Sequence, residues 1–264
     1  MNTYSILFLG DIVGRPGREA VKAALPMLRQ QHKPRFIIAN AENAAAGIGL
    51  TPALADEILD WGIDVLTLGN HAFDKREMMA GWDSERNVVR PYNMPRSAPG
   101  IGWLEVEREG TRLAVANLCG RVFLHGYDDP FQAVDHLREE IHTPHVFLDF
   151  HAEATSEKIA MGYHVEGWAT AVVGTHTHVP TADAVVLPGG TAYLTDAGMC
   201  GPYSGVLGMD RDRVLSRFRT GLPVRFEVHD GPGVISGVRI DVESVSGRAI
   251  GIERIGGPER GNCE

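Results

Sequence analysis

The sequence predicts an α/β chain in which two mixed β-sheets pack face to face with helices on the outside. Three observations lead there. Apolar runs alternate with amphipathic stretches as far as Leu68, and beyond Gly100 further apolar runs are joined by glycine-containing turns and helical stretches. Nothing in the 264 residues has the composition of a linker, so residues 1–264 read as one domain.

Each element has a local cause. Residues 4–10 are an apolar run that reads as a buried strand. Residues 17–31 have helical periodicity, with an interruption or kink expected at Pro26, because proline lacks an N–H and crowds the preceding turn. Residues 35–40 form the next strand. Residues 51–61 carry helix signals at both ends: Thr51 to cap, Pro52 at the first helical position and Gly62 after the last. With a strand at 63–68, the strand-helix alternation implies parallel strands joined by right-handed crossovers. Farther on, strands at 103–108 and 112–118 flank the turn Glu109-Gly110-Thr111. Strands at 145–150 and 170–173 enclose a helical stretch at 156–163, and segments 184–187 and 191–195 flank the hairpin signal Gly189-Gly190. Residues 224–255 hold three β-like segments.

Composition narrows the function. A chain with 44% hydrophobic residues is too apolar to be a disordered acidic protein. Its 34 acidic against 25 Lys and Arg residues, a net charge of −9, do not suit binding extended nucleic acid by bulk electrostatics. The apolar run at 6–9 is far too short for a signal-peptide core or a membrane span, so the expected compartment is the cytoplasm. Cys119, Cys200 and Cys263 are odd in number and form no CxxC pair, which favours reduced thiols.

The 11 histidines are unevenly spread, and His151, His176 and His178 fall beside buried strands. They belong to a larger pattern. Five places put a ligand-competent residue just after an apolar strand: Asp11, Glu42-Asn43, Asn70-His71, His151, and His176-Thr177-His178. Ligands of α/β sheets gather at the carboxyl ends of strands, so residues distant in sequence can converge there. Singly, each has a bland alternative: Asp11 can cap the next element, and Asn70-His71 can be a turn with a satisfied histidine. Glu42-Asn43 has no opposite charge nearby in the chain, which tilts it toward function. His176-Thr177-His178, read as extended backbone, puts both imidazoles on one face and within reach of one centre.

Taken together the set offers carboxylates, amides and imidazoles, a mixed N/O group suited to first-row transition metals rather than calcium or magnesium. Seven candidate ligands are more than one catalytic ion takes. Two ions about 3.5–4 Å apart, sharing Glu42 and generating a bridging hydroxide, are the economical reading, and such a pair clamps a phosphoryl oxygen.

The order and spacing of these motifs resemble the calcineurin-like metallophosphoesterases, which typically read Asp-x-His, Gly-Asp-x-x-Asp, Gly-Asn-His-Glu or Asp, a lone His, and Gly-His-x-His. Here Asp11-Ile12-Val13 has valine in the place of the first histidine, and Ala41-Glu42-Asn43 has Glu42 in the place of the bridging aspartate. Both departures are similar to a narrower group, the YmdB-like phosphodiesterases, as are the stretches at 10–17, 40–47 and 195–199, and the likeness covers nearly the whole chain. The resemblance implies a four-layer metallophosphoesterase fold. It implies Asp11, Glu42, Asn43 and His178 around one metal and Glu42, Asn70, His151 and His176 around the other, with Asn43 compensating for the absent histidine. It further implies His71 as proton donor, iron as the metal with manganese able to substitute, and small phosphodiesters such as 2′,3′-cyclic nucleotides as substrates. In the mechanism this implies, two cations would neutralise the diester and His71 would protonate the leaving alkoxide.

Other assignments divide. Arg15 and Arg18 either reach a substrate phosphate or, as the commoner case, form a solvated pair at a helix start. Asp196 either orients a histidine ligand or stabilises a turn. A binuclear amide or lactone hydrolase is disfavoured by the motif order. A regulatory RNA- or protein-binding module with a structural metal site needs a basic groove or aromatic platform, which 7% aromatic residues and an acidic balance do not supply. The expected partner is a small phosphodiester, not extended nucleic acid or a membrane, with homo-oligomerisation left open.

Overall fold

The computed structural model describes residues 2–82 and 86–257. In chain order its elements are β1 (Thr3–Leu9), β2 (Asp11–Ile12), α1 (Gly14–His32), β3 (Phe36–Asn40), α2 (Pro52–Asp60), β4 (Val65–Thr67), α3 (Arg76–Ala80), β5 (Val88–Val89), β6 (Trp103–Arg108), β7 (Thr111–Cys119), α4 (Pro130–Glu140), β8 (Val146–His151), α5 (Thr155–His164), β9 (Ala171–Thr175), β10 (Val185–Val186), β11 (Ala192–Leu194), β12 (Met199–Cys200), α6 (Arg211–Thr220), β13 (Ser236–Glu243) and β14 (Ala249–Gly256).

One six-stranded sheet has the order β14-β13-β1-β3-β4-β5, and a second the order β10-β11-β9-β8-β7-β6. Within the first, β1, β3, β4 and β5 are parallel; within the second, β7, β8, β9 and β11 are parallel. The alternation of β-strand side chains explains the layers. Ile6, Phe8, Phe36 and Ile38 of the first sheet pack with Val115, Phe147, Val173 and Leu194 of the second in one buried core, and the Phe8 and Phe147 rings lie 4.9 Å apart. Leu7, Leu9, Ile37 and Leu66 face the other way and cover α1 and α2 through Val21, Leu25 and Ile58. Ala116, Leu148 and Phe150 likewise bury Val134 and Leu137 of α4 and Met161 of α5. The result is helix, sheet, sheet, helix, as expected.

Local signals are realised unevenly. The Thr51 hydroxyl accepts from the Leu54 N–H at 3.3 Å with Pro52 beginning α2, and Glu109 and Gly110 turn the β6–β7 hairpin with φ of 50° and 73°. Three expectations are corrected. Helix α1 starts at Gly14 rather than Gly17 and runs through Pro26 to His32. The C-terminal region supplies two strands, not three: between α6 and β13 stand Pro223, Pro232, Gly231 and Gly233, and within residues 224–235 only single bridges form, through Val228 and Val234. Helices α3, α4 and α6 come in addition to the expected ones, although for α4 and α6 Asp129-Pro130 and Asp210 are start signals whose carboxylates accept from the first-turn N–H groups. Cys119 and Cys200 are buried and free, while Cys263 lies outside the described residues. Among the described residues no helix is long and apolar enough to cross a membrane.

Candidate metal centre

Parallel strands put their carboxyl ends at one edge of each sheet, and the two edges meet through Asn40. Its amide donates to Leu68 O and to Asp149 Oδ2, both at 2.9 Å, while its own oxygen accepts the Glu42 N–H at 3.1 Å. The last residue of β3 therefore ties β8 of the opposite sheet to the backbone that carries Glu42.

All eight sequence-predicted residues come together at this edge. His151 Nε2 lies 3.0 Å from Glu42 Oε1, 2.9 Å from Asn70 Oδ1 and 3.1 Å from His176 Nδ1. The ligand atoms of Glu42, His151 and His176 lie within 4.8 Å of one another. Beside them, His178 Nε2 is 3.2 Å from Asn43 Nδ2 and 3.8 Å from Asp11 Oδ1, and Asn43 Nδ2 is 3.3 Å from Glu42 Oε1. Glu42 thus faces both groups. The His71 N–H donates to Glu42 Oε2 at 3.2 Å, and the His71 ring stands apart from the cluster with Nδ1 2.7 Å from Asp74 Oδ2.

Each cluster histidine has one nitrogen held from outside, which leaves the other for the interior. Thr175 donates its hydroxyl to Asp149 Oδ1 at 2.7 Å, so it accepts the Nδ1–H of His151 at 2.9 Å. His176 Nε2 faces Glu153 Oε2 at 3.0 Å, and His178 Nδ1 faces Leu207 O at 3.0 Å. No sequence signal marks Glu153 or gives Thr175 a role, and Asn40 is marked only as the first residue of the 40–47 stretch, with no role attached. Asp149, a lone carboxylate two residues before His151 on the same face of an apolar strand, carries the one usable signal.

The electrostatics are those of a cation site. Asp11 and Glu42 are buried, and the contacts of both carboxylates are to histidine, amide and backbone rather than to lysine or arginine. Burial raises the Asp11 carboxyl, and its Oδ1 is buried without a hydrogen-bond partner. Burial also works against ionised Glu42, but the charge and hydrogen bond of His151 hold it down at about 2, and Glu42 in turn carries His151 up to about 9 against its own burial. Burial and the neighbouring His151 push His176 down to about 3. Gly69 keeps the space open: a β-carbon there would sit 2.2 Å from Glu42 Oε2 and 2.4 Å from His151 Nε2.

One reading is corrected, and one left open between two alternatives is decided. His176 and His178 are not on extended backbone; β9 ends at Thr175 and both have positive φ, 96° and 64°. The turn aims His176 at Glu42 and His151 and aims His178 at Asp11 and Asn43, so the two rings serve different groups. Asp196 orients no histidine ring. It accepts from Thr177 N–H at 3.2 Å, Thr177 hydroxyl at 2.8 Å and Gly198 N–H at 2.8 Å, and is paired with the buried Lys158. Arg18 donates to Ala44 O, which anchors the loop after Asn43, and Arg15 is exposed beside Glu19. A cavity of about 700 Å³ opens at the cluster, with Glu42, Asn43, His71, His176 and His178 among its lining residues.

Comparison with known proteins agrees with this architecture. A family model described as YmdB-like protein matches residues 7–255. A 2′,3′-cyclic-nucleotide 2′-phosphodiesterase of Bacillus subtilis is 52% identical over 252 residues, covering 95% of this chain and 96% of the relative. The crystal structure of a phosphatase from Mycoplasma pneumoniae superposes with a TM-score of 0.92 at 33% identity, covering 97% of this chain and 94% of that one. A hypothetical protein from Thermus thermophilus superposes with a TM-score of 0.90 at 40% identity, covering 96% and 98%.

Proposed function

This chain belongs to the YmdB-like family, and from that premise we propose that it is a metal-dependent phosphodiesterase acting on small phosphodiesters, 2′,3′-cyclic nucleotides among them. The observation that carries the reading is the set of three histidines, each fixed from outside through one nitrogen and turned with the other toward two buried carboxylates whose contacts include no lysine or arginine. In this reading Asp11, Glu42, Asn43 and His178 hold one ion, and Glu42, Asn70, His151 and His176 hold a second, iron or manganese in each. Two such cations supply charge neutralisation for the diester and an acidified water at neutral pH.

The remaining work falls to the chain. Asn40, Asp149 and Thr175 keep the ligands in place, so the site is assembled before substrate arrives. His71 faces the cavity with Nδ1 engaged by Asp74, and delivers a proton from Nε2 to the leaving oxygen.

Elemental analysis after loading with iron or manganese is expected to give close to two equivalents of metal, together with hydrolysis of bis-p-nitrophenyl phosphate and 2′,3′-cyclic nucleotides. One equivalent or less with no diesterase activity overturns the proposal. Asn70→Ala is expected to weaken binding of one ion by on the order of 10- to 100-fold or more, so that metal content falls toward one equivalent and activity falls with it. Full metal content in that variant removes Asn70 from the ligand set.

A further inference from the structure

We propose that the apolar lining of the cavity that holds the metal-ligand cluster is a nucleobase subsite, with Phe218 and Phe226 as its stacking faces; the inference rests on the phosphodiesterase reading and names the substrate class more narrowly. The cavity of about 700 Å³ is divided by chemistry. The histidines and Glu42 supply its polar lining, while Leu207, Met209, Phe218 and Phe226 supply an apolar one. Hydrolysis of a phosphate ester requires none of these apolar groups, so they meet the substituent that the phosphate carries.

Their exposure points the same way. Phe218 is 80% exposed and Phe226 46% exposed. Single exposed apolar residues need no explanation, but two aromatic rings in the same cavity as the proposed metal ligands do. The helix aims Phe218: Val214 lies one turn earlier on α6, is buried and lines the same cavity, and residues four apart share a face. In a 2′,3′-cyclic nucleotide the base leaves the ribose across the ring from the cyclic phosphate. With the phosphate at the polar lining, the base extends toward this apolar wall. Leu207, Met209, Phe218 and Phe226 offer no side-chain donor or acceptor that could read a base edge, whereas every base has a π-face, so the subsite is tolerant of base identity.

The test compares 2′,3′-cyclic AMP with glycerol 1,2-cyclic phosphate, which keeps a five-membered cyclic phosphate and lacks a base, on manganese-loaded full-length protein. Base–aromatic stacking is worth roughly 5- to 150-fold. The ratio of kcat/KM between the two substrates is expected to fall about tenfold in Phe218→Ala and in Phe226→Ala, mainly through KM, and to be retained in Phe218→Trp. An unchanged ratio overturns the subsite. That includes the case where both substrates suffer equally while light scattering shows a changed oligomeric state, which assigns the wall to a second copy of the chain. Wild-type protein that hydrolyses both substrates without preferring the nucleotide also sinks the subsite alone, whereas hydrolysis of neither sinks the phosphodiesterase reading beneath it.

Discussion

The His71→Ala variant is expected to lose about 10²- to 10⁴-fold in kcat on 2′,3′-cyclic nucleotides, the range typical of general acid catalysis, while keeping its full metal content. The geometry separates the two readouts. His71 reaches the cluster only through its backbone N–H, which donates to Glu42 Oε2, and alanine retains that group. The ring is partly exposed to the cavity, and its Nδ1 is 2.7 Å from Asp74 Oδ2. That carboxylate fixes the ring orientation and leaves Nε2 as the nitrogen that would face the leaving group in the proposed reaction. Asp74→Asn should reproduce part of the loss, because the ring stays but its charged partner is gone. Metal lost from His71→Ala, measured by elemental analysis, would instead make His71 a ligand. A loss confined to poor leaving groups, with p-nitrophenyl esters nearly unaffected, would strengthen the assignment, since a nitrophenolate departs without a proton.

The candidate ligands are legible in the sequence because each stands at or just beyond the end of an apolar strand, and parallel strands present those ends along one edge. The groups that hold the ligands are not. Asn40 ends one strand and Asp149 lies inside another, and only the packing of the two sheets brings them within 2.9 Å. Glu153 reads as an ordinary loop acid until His176 turns toward it. The extended reading of His176 and His178 fails for a backbone reason. With φ of 96° and 64° after β9, the two rings turn to different groups, and although histidine is over-represented at positive φ, such values are too uncommon outside glycine for residue type alone to announce them. The missing third C-terminal strand has a simpler cause: prolines and glycines interrupt a stretch whose apolar residues alone look extended.

Lys158 is the least predictable residue of the set, and its removal is expected to be the most damaging to stability. In Thr155–His164 it reads as one of the polar positions of a surface helix, yet it is fully buried, with Nζ 2.6 Å from Asp196 Oδ2 and 2.8 Å from Thr175 O. Lys158→Met keeps most of the side-chain volume and strands the Asp196 carboxylate in the core. Breaking a buried pair in this way costs about 3–5 kcal/mol, which for a chain of this size lowers Tm by roughly 10 °C. Calorimetry of the metal-free protein measures it. The Lys158→Met/Asp196→Asn pair distinguishes charge from packing: the amide oxygen can still accept from the Gly198 N–H and its NH2 can donate to the Thr177 hydroxyl without an uncompensated charge, so stability should partly return, whereas loss of lysine packing would leave it low. In the proposed function, metal binding depends on the same pair. Asp196 fixes Thr177, the residue between His176 and His178, and those histidines face different ligand groups. A single buried ion pair behind the turn therefore positions both groups, and Lys158→Met should weaken both metal equivalents together, where Asn70→Ala weakens one.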